Sequence, residues 1–170
     1  ILTTPDGAER GVAIAYDSRR KSTEFAKEAA LVLCAAGVKV FLYESLRPVP
    51  VLSFTVRYLK CIAGIVITAS HNPAQYNGYK VYWEDGAQVT PPYDTGIIAE
   101  VNAVTDYLSV RTMTEEQAIQ DGLLVYFGKE IDDAYMEALK RQIIHPDVIR
   151  EMADEIRIVY TPFHGAGLVP

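Results

Sequence analysis

The chain has 170 residues, of which 49% are apolar, enough to bury the core of one globular domain and part of a second. Its formal net charge of −6 at pH 7 excludes the basic surface by which proteins bind nucleic acid or anionic membranes. No apolar run reaches bilayer-spanning length and no signal-peptide pattern is found at the start. We therefore expect a cytoplasmic protein with two buried free thiols, Cys34 and Cys61.

The first segments predict a strand, a helix and a second, parallel strand. An apolar strand over 11–16 ends in a polar loop, 17–22, in which Arg19 is the first of three adjacent cations. Composition favours a solvated helix entry for this loop, although a loop at the carboxyl end of a strand can also bind phosphate. A helix is predicted over 23–36 and a strand over 39–43. The predicted inward stripe of the helix is Phe25, Ala29, Val32, Leu33 and Ala36.

A further crossover leads to the segment around which the chain is organised. The turn RPVP at 47–50 precedes a helix predicted over 51–60, and a short buried strand follows at 65–67. This strand opens abruptly into the hexapeptide TASHNP at 68–73. Ser70 is therefore presented beyond the carboxyl end of a strand, where open α/β sheets bind their ligands. The alternative is that Ser70 only caps a turn.

Residues 79–83 alternate and are rich in aromatics, which predicts a fourth strand. It follows the third strand too closely for a helical crossover and must run antiparallel. A helix over 94–108 then completes a layered α/β/α unit. The predicted fold class is α/β, with a mostly parallel mixed sheet in which only the fourth strand is antiparallel.

The pattern changes after this unit. Thr114 is the predicted N-cap of a short helix, and 123–127 is either a short strand or an extended linker. A helix is predicted over 131–143. A fresh strand at 156–160 leads into a glycine-rich loop just before the chain stops, which predicts the truncated start of a second α/β domain.

Several of these segments resemble the α-D-phosphohexomutase family of phosphoglucomutases and phosphomannomutases. TASHNP is similar to the family's phosphoserine loop, and Lys80, ten residues after Ser70, matches the family's lysine. The segments YDSR at 16–19, RPVP at 47–50 and VYTPFHGAG at 159–167 are similar to further family segments.

The resemblance implies that the chain is a fragment of a four-domain protein. Residues 1–127 correspond to most of domain I, without the arginine segment with which family members begin. Residues 128–170 correspond to a linker helix and the first strand of domain II. Domains II–IV of the same protein are then the partners of this chain, and we expect the fragment alone to be inactive.

The family interconverts hexose 1-phosphate and hexose 6-phosphate by intramolecular phosphoryl transfer, through a phosphoserine and a bisphosphorylated sugar. Ser70 is the implied phosphoryl carrier. Its phosphate is also the implied ligand of Mg²⁺, whose three aspartate ligands lie outside this chain; Asp132, Asp133, Asp154 and Glu155 have the wrong spacing and are interpreted as helix-end charges. Glucose 1,6-bisphosphate is the expected activator of the whole protein.

The resemblance also assigns roles to residues around Ser70. Lys80 is expected to hold phosphate charge or to move the proton of the accepting hydroxyl. His71 is expected to transfer a proton or to position the loop. Arg19, Asn72 and His164 are the expected substrate and phosphate ligands, with Asn72 bracing the loop and His164 reaching the site from the second domain. His145 precedes a proline and is expected to be structural.

Phosphoglucomutase is favoured over phosphomannomutase, and a phosphorylated hexose is the expected substrate, although domain I alone does not separate glucose, mannose and pentose phosphates. A non-catalytic phosphosugar- or nucleotide-binding α/β module is the second hypothesis, but the chain contains neither Gly-x-Gly-x-x-Gly nor a P-loop. Serine hydrolase chemistry is the third, and the Gly-x-Ser-x-Gly elbow is absent.

Overall fold

The computed structural model describes residues 1–170, and its centre is one five-stranded sheet. The strands are β1 Val12–Tyr16, β2 Val40–Tyr43, β3 Ala63–Ile67, β4 Tyr79–Trp83 and β5 Leu124–Phe127. The helices are α1 Gly7–Arg10, α2 Ser22–Ala35, α3 Val49–Tyr58, α4 Tyr93–Ala103, α5 Glu115–Gln120, α6 Lys129–Lys140 and α7 Pro146–Glu151, with a 3-10 turn at Tyr107–Ser109. None of the helices is both long and apolar enough to cross a lipid bilayer.

The sheet has the strand order β4-β3-β1-β2-β5. β1 is parallel to both of its neighbours, β2 is parallel to β5, and only the β3–β4 pair is antiparallel. All residues of β1 and β3 are buried, as expected for parallel strands covered on both faces. The predicted fold class is therefore confirmed, and the open alternative for 123–127 is decided in favour of a strand.

Helices cover the sheet on both sides and divide the core in two. Val12 and Ile14 of β1 pack with α2 and α5, whereas Ala13 and Ala15 pack with α3 and α6. The alternation follows from the two-residue period of a strand, which sends successive side chains to opposite faces. Both cysteines are free and buried, as predicted.

Helix α2 presents a different face from the one that periodicity predicted. Phe25 is 49% exposed and Ala36 is exposed, while Ala29 and Leu33 only partly pack against the core. The buried residues of α2 are Ser22, Ala26, Ala30, Leu31 and Cys34. This stripe lies one residue round the helix from the predicted one, and four of its five side chains are small.

Two predicted elements of the second half are not packed as expected. Helix α4 is shorter than the predicted helix over 94–108 and has no buried residue; its apolar Val101 is 58% exposed. The predicted strand at 156–160 is not formed, because no strand lies beside it, and Val159 is 99% exposed. The division into domains at 127/128 stays a prediction. Ile131 of α6 is buried in the core shared with α3.

Candidate functional site

The carboxyl ends of β1, β2 and β3 meet at one edge of the sheet. The chain passes from β1 to β2 on one side and then crosses to β3 on the other, so this edge is the topological switch point. A cavity of about 620 Å³ opens there. Its lining includes Asp17, Arg47, Ser70, His71, Asn72 and His164.

Ser70 lies in the loop between β3 and β4, residues 68–78, which we call the serine loop. Its φ of 58° is in the left-handed region, which residues other than glycine adopt rarely. Such strain persists where the surroundings determine the backbone, and it is common at functional sites. The hydroxyl is exposed, and Oγ lies 3.3 Å from His71 Nδ1. The structure thus presents Ser70 to the cavity, as predicted.

Asp17 and Thr68 hold the base of the serine loop. The N–H of Ser70 donates to Thr68 Oγ1 at 3.0 Å, and the Thr68 hydroxyl donates to Asp17 Oδ2 at 2.6 Å. Asp17 also accepts hydrogen bonds from the backbone N–H and Nε of Arg19 and from the hydroxyl of Ser22. The end of β1 and the start of the loop are therefore joined through one carboxylate.

Arg19 lines the cavity, but its guanidinium faces the protein. Nη1 donates to the carbonyl oxygens of Pro73 and Tyr76, at 2.9 and 3.2 Å, and Nη2 donates to the carbonyl oxygen of Ser70. Nε is bound to Asp17. Four of the five guanidinium N–H donors of Arg19 thus already have protein acceptors, which leaves one donor for a phosphate. The role of Arg19 as a phosphate ligand stays a prediction.

The other predicted residues are placed differently with respect to Ser70. His71 and Asn72 line the cavity, but the Asn72 side chain makes no hydrogen bond, and Asn77 braces the loop instead. His164 reaches the cavity, where its carbonyl oxygen accepts a hydrogen bond from Ser18 Oγ at 2.7 Å. Lys80 is not brought to the cavity lining: it lies on β4 opposite Val66 and makes no ion pair.

A buried ion pair forms the floor of the cavity, and sequence reasoning missed it. Arg47 is 2% exposed and binds Asp132 of α6 with two hydrogen bonds, Nε to Oδ1 at 2.8 Å and Nη2 to Oδ2 at 2.6 Å. The hydrogen bonds to Asp132 raise the pKa of Arg47. Asp132 lies in the first turn of α6, as its interpretation as a helix-end charge expects, but that interpretation missed its burial and its pairing with Arg47. Asp133, in contrast, is exposed and pairs with Lys129 on the same helix.

The charges of the cavity are balanced within the chain. Its two lining arginines, Arg19 and Arg47, are both paired with aspartates. No group of three or more His, Cys, Asp or Glu side chains is placed to hold a metal ion. Asp17, the only carboxylate in the lining, already accepts four hydrogen bonds. The residues present thus do not form a magnesium site by themselves.

Comparison with known proteins agrees with this geometry. Residues 2–108 match the family model described as phosphoglucomutase/phosphomannomutase, alpha/beta/alpha domain I. The chain is 39% identical to phosphopentomutase of Mus musculus over 95% of its length, and 31% identical to phosphoglucomutase of Staphylococcus saprophyticus over 94%. It spans only 27% and 28% of those proteins. A solved phosphoglucomutase/phosphomannomutase family protein from Burkholderia thailandensis superimposes with a TM-score of 0.54 at 28% identity, over 77% of this chain and 28% of that one.

Proposed function

Since this chain belongs to the phosphoglucomutase/phosphomannomutase family, whose domain I model it matches over 2–108, we propose that it is the phosphoserine-bearing part of a phosphosugar mutase. Ser70 is the phosphoryl carrier in this proposal. The rest of the catalytic centre belongs to parts of the protein outside these residues, because the relatives are almost four times as long. The chain alone is expected to be inactive.

One observation carries the proposal: the exposed hydroxyl of Ser70 is held in a strained, braced loop at the switch point of the sheet. Phosphoryl transfer depends mainly on in-line positioning and charge stabilisation. A hydroxyl on a fixed loop, facing a cavity of about 620 Å³, supplies the positioning.

The proposed reaction has two phosphoryl transfers, the first from Ser70 to the sugar and the second from the sugar back to Ser70. A sugar hydroxyl attacks the phosphorus of phosphoserine, so that its O–P bond forms while the Ser70 Oγ–P bond breaks and the hydroxyl proton leaves to a base. The bisphosphorylated sugar then reorients in the site. Ser70 Oγ attacks the phosphorus of its other phosphate, so that the Oγ–P bond forms again while the bond from that phosphorus to the sugar oxygen breaks. His71 is the candidate base nearest to Oγ, at 3.3 Å from Nδ1, and Lys80 is the alternative.

The charge of the phosphate must be balanced from elsewhere. A phosphoserine carries about −1.5 to −2 at pH 7, and both arginines of the lining are already neutralised by aspartates. His71 and Ala74 line the cavity, and their backbone N–H groups donate to no protein acceptor. We propose that these N–H groups and a Mg²⁺ ion with ligands from outside this chain share the charge. Lys80, which lies on β4 outside the cavity lining, joins them in this proposal when its side chain extends toward the phosphate.

The sugar is a separate question. The preference for glucose over mannose came from sequence resemblance, but identity is higher to the phosphopentomutase than to the phosphoglucomutase described above. Pentose and hexose phosphates are therefore both proposed substrate classes. The corresponding sugar bisphosphate, such as glucose 1,6-bisphosphate, is the proposed activator.

The test is phosphopeptide mass spectrometry on the full-length protein that carries this chain, incubated with Mg²⁺ and either glucose 1,6-bisphosphate or a pentose bisphosphate. Trypsin releases residues 61–80 as one peptide, in which Ser70 is the only serine. We expect phosphate on this peptide, no phosphate on Ser70→Ala, and none on Ser18, which lines the same cavity.

The bisphosphate that labels Ser70 faster identifies the sugar class. A protein that stays unphosphorylated at Ser70 with both bisphosphates would overturn the proposal. The non-catalytic phosphosugar-binding module would then be tested by calorimetric titration of sugar phosphates.

A further inference from the structure

Arg19 has an unusual set of acceptors for an arginine at a phosphate-handling site. Three of its N–H donors bind carbonyl oxygens of the serine loop, those of Ser70, Pro73 and Tyr76. We propose that Arg19 is a positioning residue, which selects the loop conformation in which Ser70 Oγ faces the cavity. This inference rests on the proposed function of Ser70 as phosphoryl carrier.

The guanidinium is itself fixed before it reaches the loop. Nε is bound to Asp17 Oδ2 at 3.1 Å, and the backbone N–H of Arg19 is bound to the other oxygen of the same carboxylate at 3.1 Å. Only 10% of the Arg19 side chain is exposed. A planar group with fixed donors can hold several acceptors in one geometry, which the single ammonium of lysine cannot reproduce.

The contacts explain how the loop keeps a backbone conformation that costs energy. The residue whose carbonyl oxygen accepts from Nη2, Ser70, is also the one with positive φ. In this conformation three carbonyl oxygens, each with a partial negative charge, face the cation of Arg19. The same oxygens would repel a phosphoserine if they faced it.

A second brace closes the other end of the loop. Asn77 Nδ2 donates to the carbonyl oxygen of Arg20 at 3.1 Å and to Ser22 Oγ at 2.9 Å, and Asn77 Oδ1 accepts from the N–H of Gly78. Both braces run from the segment after β1 to the serine loop. The segment that follows β1 therefore fixes the loop that follows β3.

The test compares Arg19→Ala, Arg19→Lys and a matched control, Arg20→Ala, in the full-length protein. The control removes a neighbouring arginine whose exposed side chain makes no hydrogen bond. Two quantities are measured: the hydrogen–deuterium exchange of peptides covering the serine loop, and the kcat and KM of the sugar phosphate that the labelling experiment identifies.

We expect both Arg19 variants to exchange faster across the serine loop and to lose about 10²-fold in kcat, because misplacing a reacting group by about 1 Å has that effect. The KM should change less than threefold. Guanidinium ion added at millimolar concentration should partly restore the kcat of Arg19→Ala but not that of Arg20→Ala, which should behave as the wild type.

A rise in KM at unchanged kcat, with normal exchange of the loop, would identify Arg19 as a direct ligand of substrate phosphate and overturn the inference. Wild-type loop exchange and wild-type kinetics of both Arg19 variants would also overturn the inference. If Arg19→Ala does not fold, Arg19→Lys decides by the same measurements. Failure of the proposed function can be told apart from failure of this inference. If Ser70 is not the phosphoryl carrier, Ser70 of the wild type remains unlabelled by the sugar bisphosphates, whereas the hydrogen–deuterium exchange of the loop is measured without turnover and still reports on Arg19.

Discussion

Two arginines line the same cavity, each is paired with an aspartate, and yet the pairs belong to different parts of the molecule. The floor pair, Arg47 and Asp132, has side chains 2% and 10% exposed. The rim pair, Arg19 and Asp17, is 10% and 18% exposed. The floor pair joins residues 85 apart in sequence, whereas the rim pair joins residues two apart.

The remaining donors of the two guanidinium groups show what each pair is for. Arg47 Nη1 binds Ser45 and Leu46, inside the turn that begins α3, so the pair ties α6 to the end of β2. Arg19 instead binds the serine loop. The same chemistry therefore stabilises the fold at the floor and shapes the site at the rim, and variants of the two pairs should separate stability from activity.

The largest expected effect is the loss of the floor pair's carboxylate. Asp132→Ala leaves the Arg47 guanidinium buried without its counter-charge, which costs about 3–5 kcal/mol of the free energy of unfolding. Urea denaturation of the chain followed by circular dichroism measures this change.

The next residue of α6 supplies the control. Asp133 is 64% exposed and pairs with Lys129 one turn away, so Asp133→Ala should change the free energy of unfolding by no more than about 0.5 kcal/mol. If the two alanine variants lost equal stability, burial of the floor pair would have no energetic consequence.

A smaller loss is expected when the rim carboxylate is neutralised. Asp17→Asn keeps the shape of the side chain but replaces one of its two oxygens with an amide nitrogen. Two of the four hydrogen bonds that Asp17 receives then lose their acceptor, which costs about 1–2 kcal/mol. The same urea measurement applies. Asp121→Asn is the control, since this exposed carboxylate accepts one side-chain hydrogen bond, from Gln117, and should be near neutral. A loss for Asp17→Asn as large as that of Asp132→Ala would contradict the division.

The sequence predicted the elements that depend on local patterns. The apolar run at 65–67 and the abrupt change to small and polar residues placed Ser70 at the edge of the sheet, and the structure agrees. The antiparallel direction of β4 followed from the shortness of the connection. Both inferences use only neighbouring residues and the geometry of a strand.

What the sequence did not predict depends on long-range pairing. The bonds of Arg19 to the loop carbonyls join residues 51 to 57 apart, and no local pattern marks a carbonyl oxygen as an acceptor. Asp132 and Asp133 are adjacent and chemically identical, so only the packing of α6 tells which one is buried. The prediction for the buried face of α2 was wrong for a related reason: the face that packs on the sheet carries mainly small residues, whereas the predicted stripe followed the larger apolar ones.

The smallest expected effect is that of Arg19→Ala on the labelling of the two buried cysteines, which report opening of the core. Burial raises the pKa of the Cys61 thiol to about 12 and that of Cys34 to about 11, so at pH 8 both are protonated and inaccessible in the folded chain. Labelling by a thiol reagent must then pass through opened states, and its rate should rise with pH through the unfolded thiol pKa of about 8.5. Since the pKa of each thiol is higher in the folded state, the thiols also lower stability as pH rises above the unfolded-state pKa.

Arg19→Ala should leave the labelling rate within about twofold of the wild type, because it loosens only the rim. Asp132→Ala should raise the labelling rate by about 10²-fold or more, following its loss of stability. Fast labelling of Arg19→Ala at pH 8 would show that the rim also holds the core together.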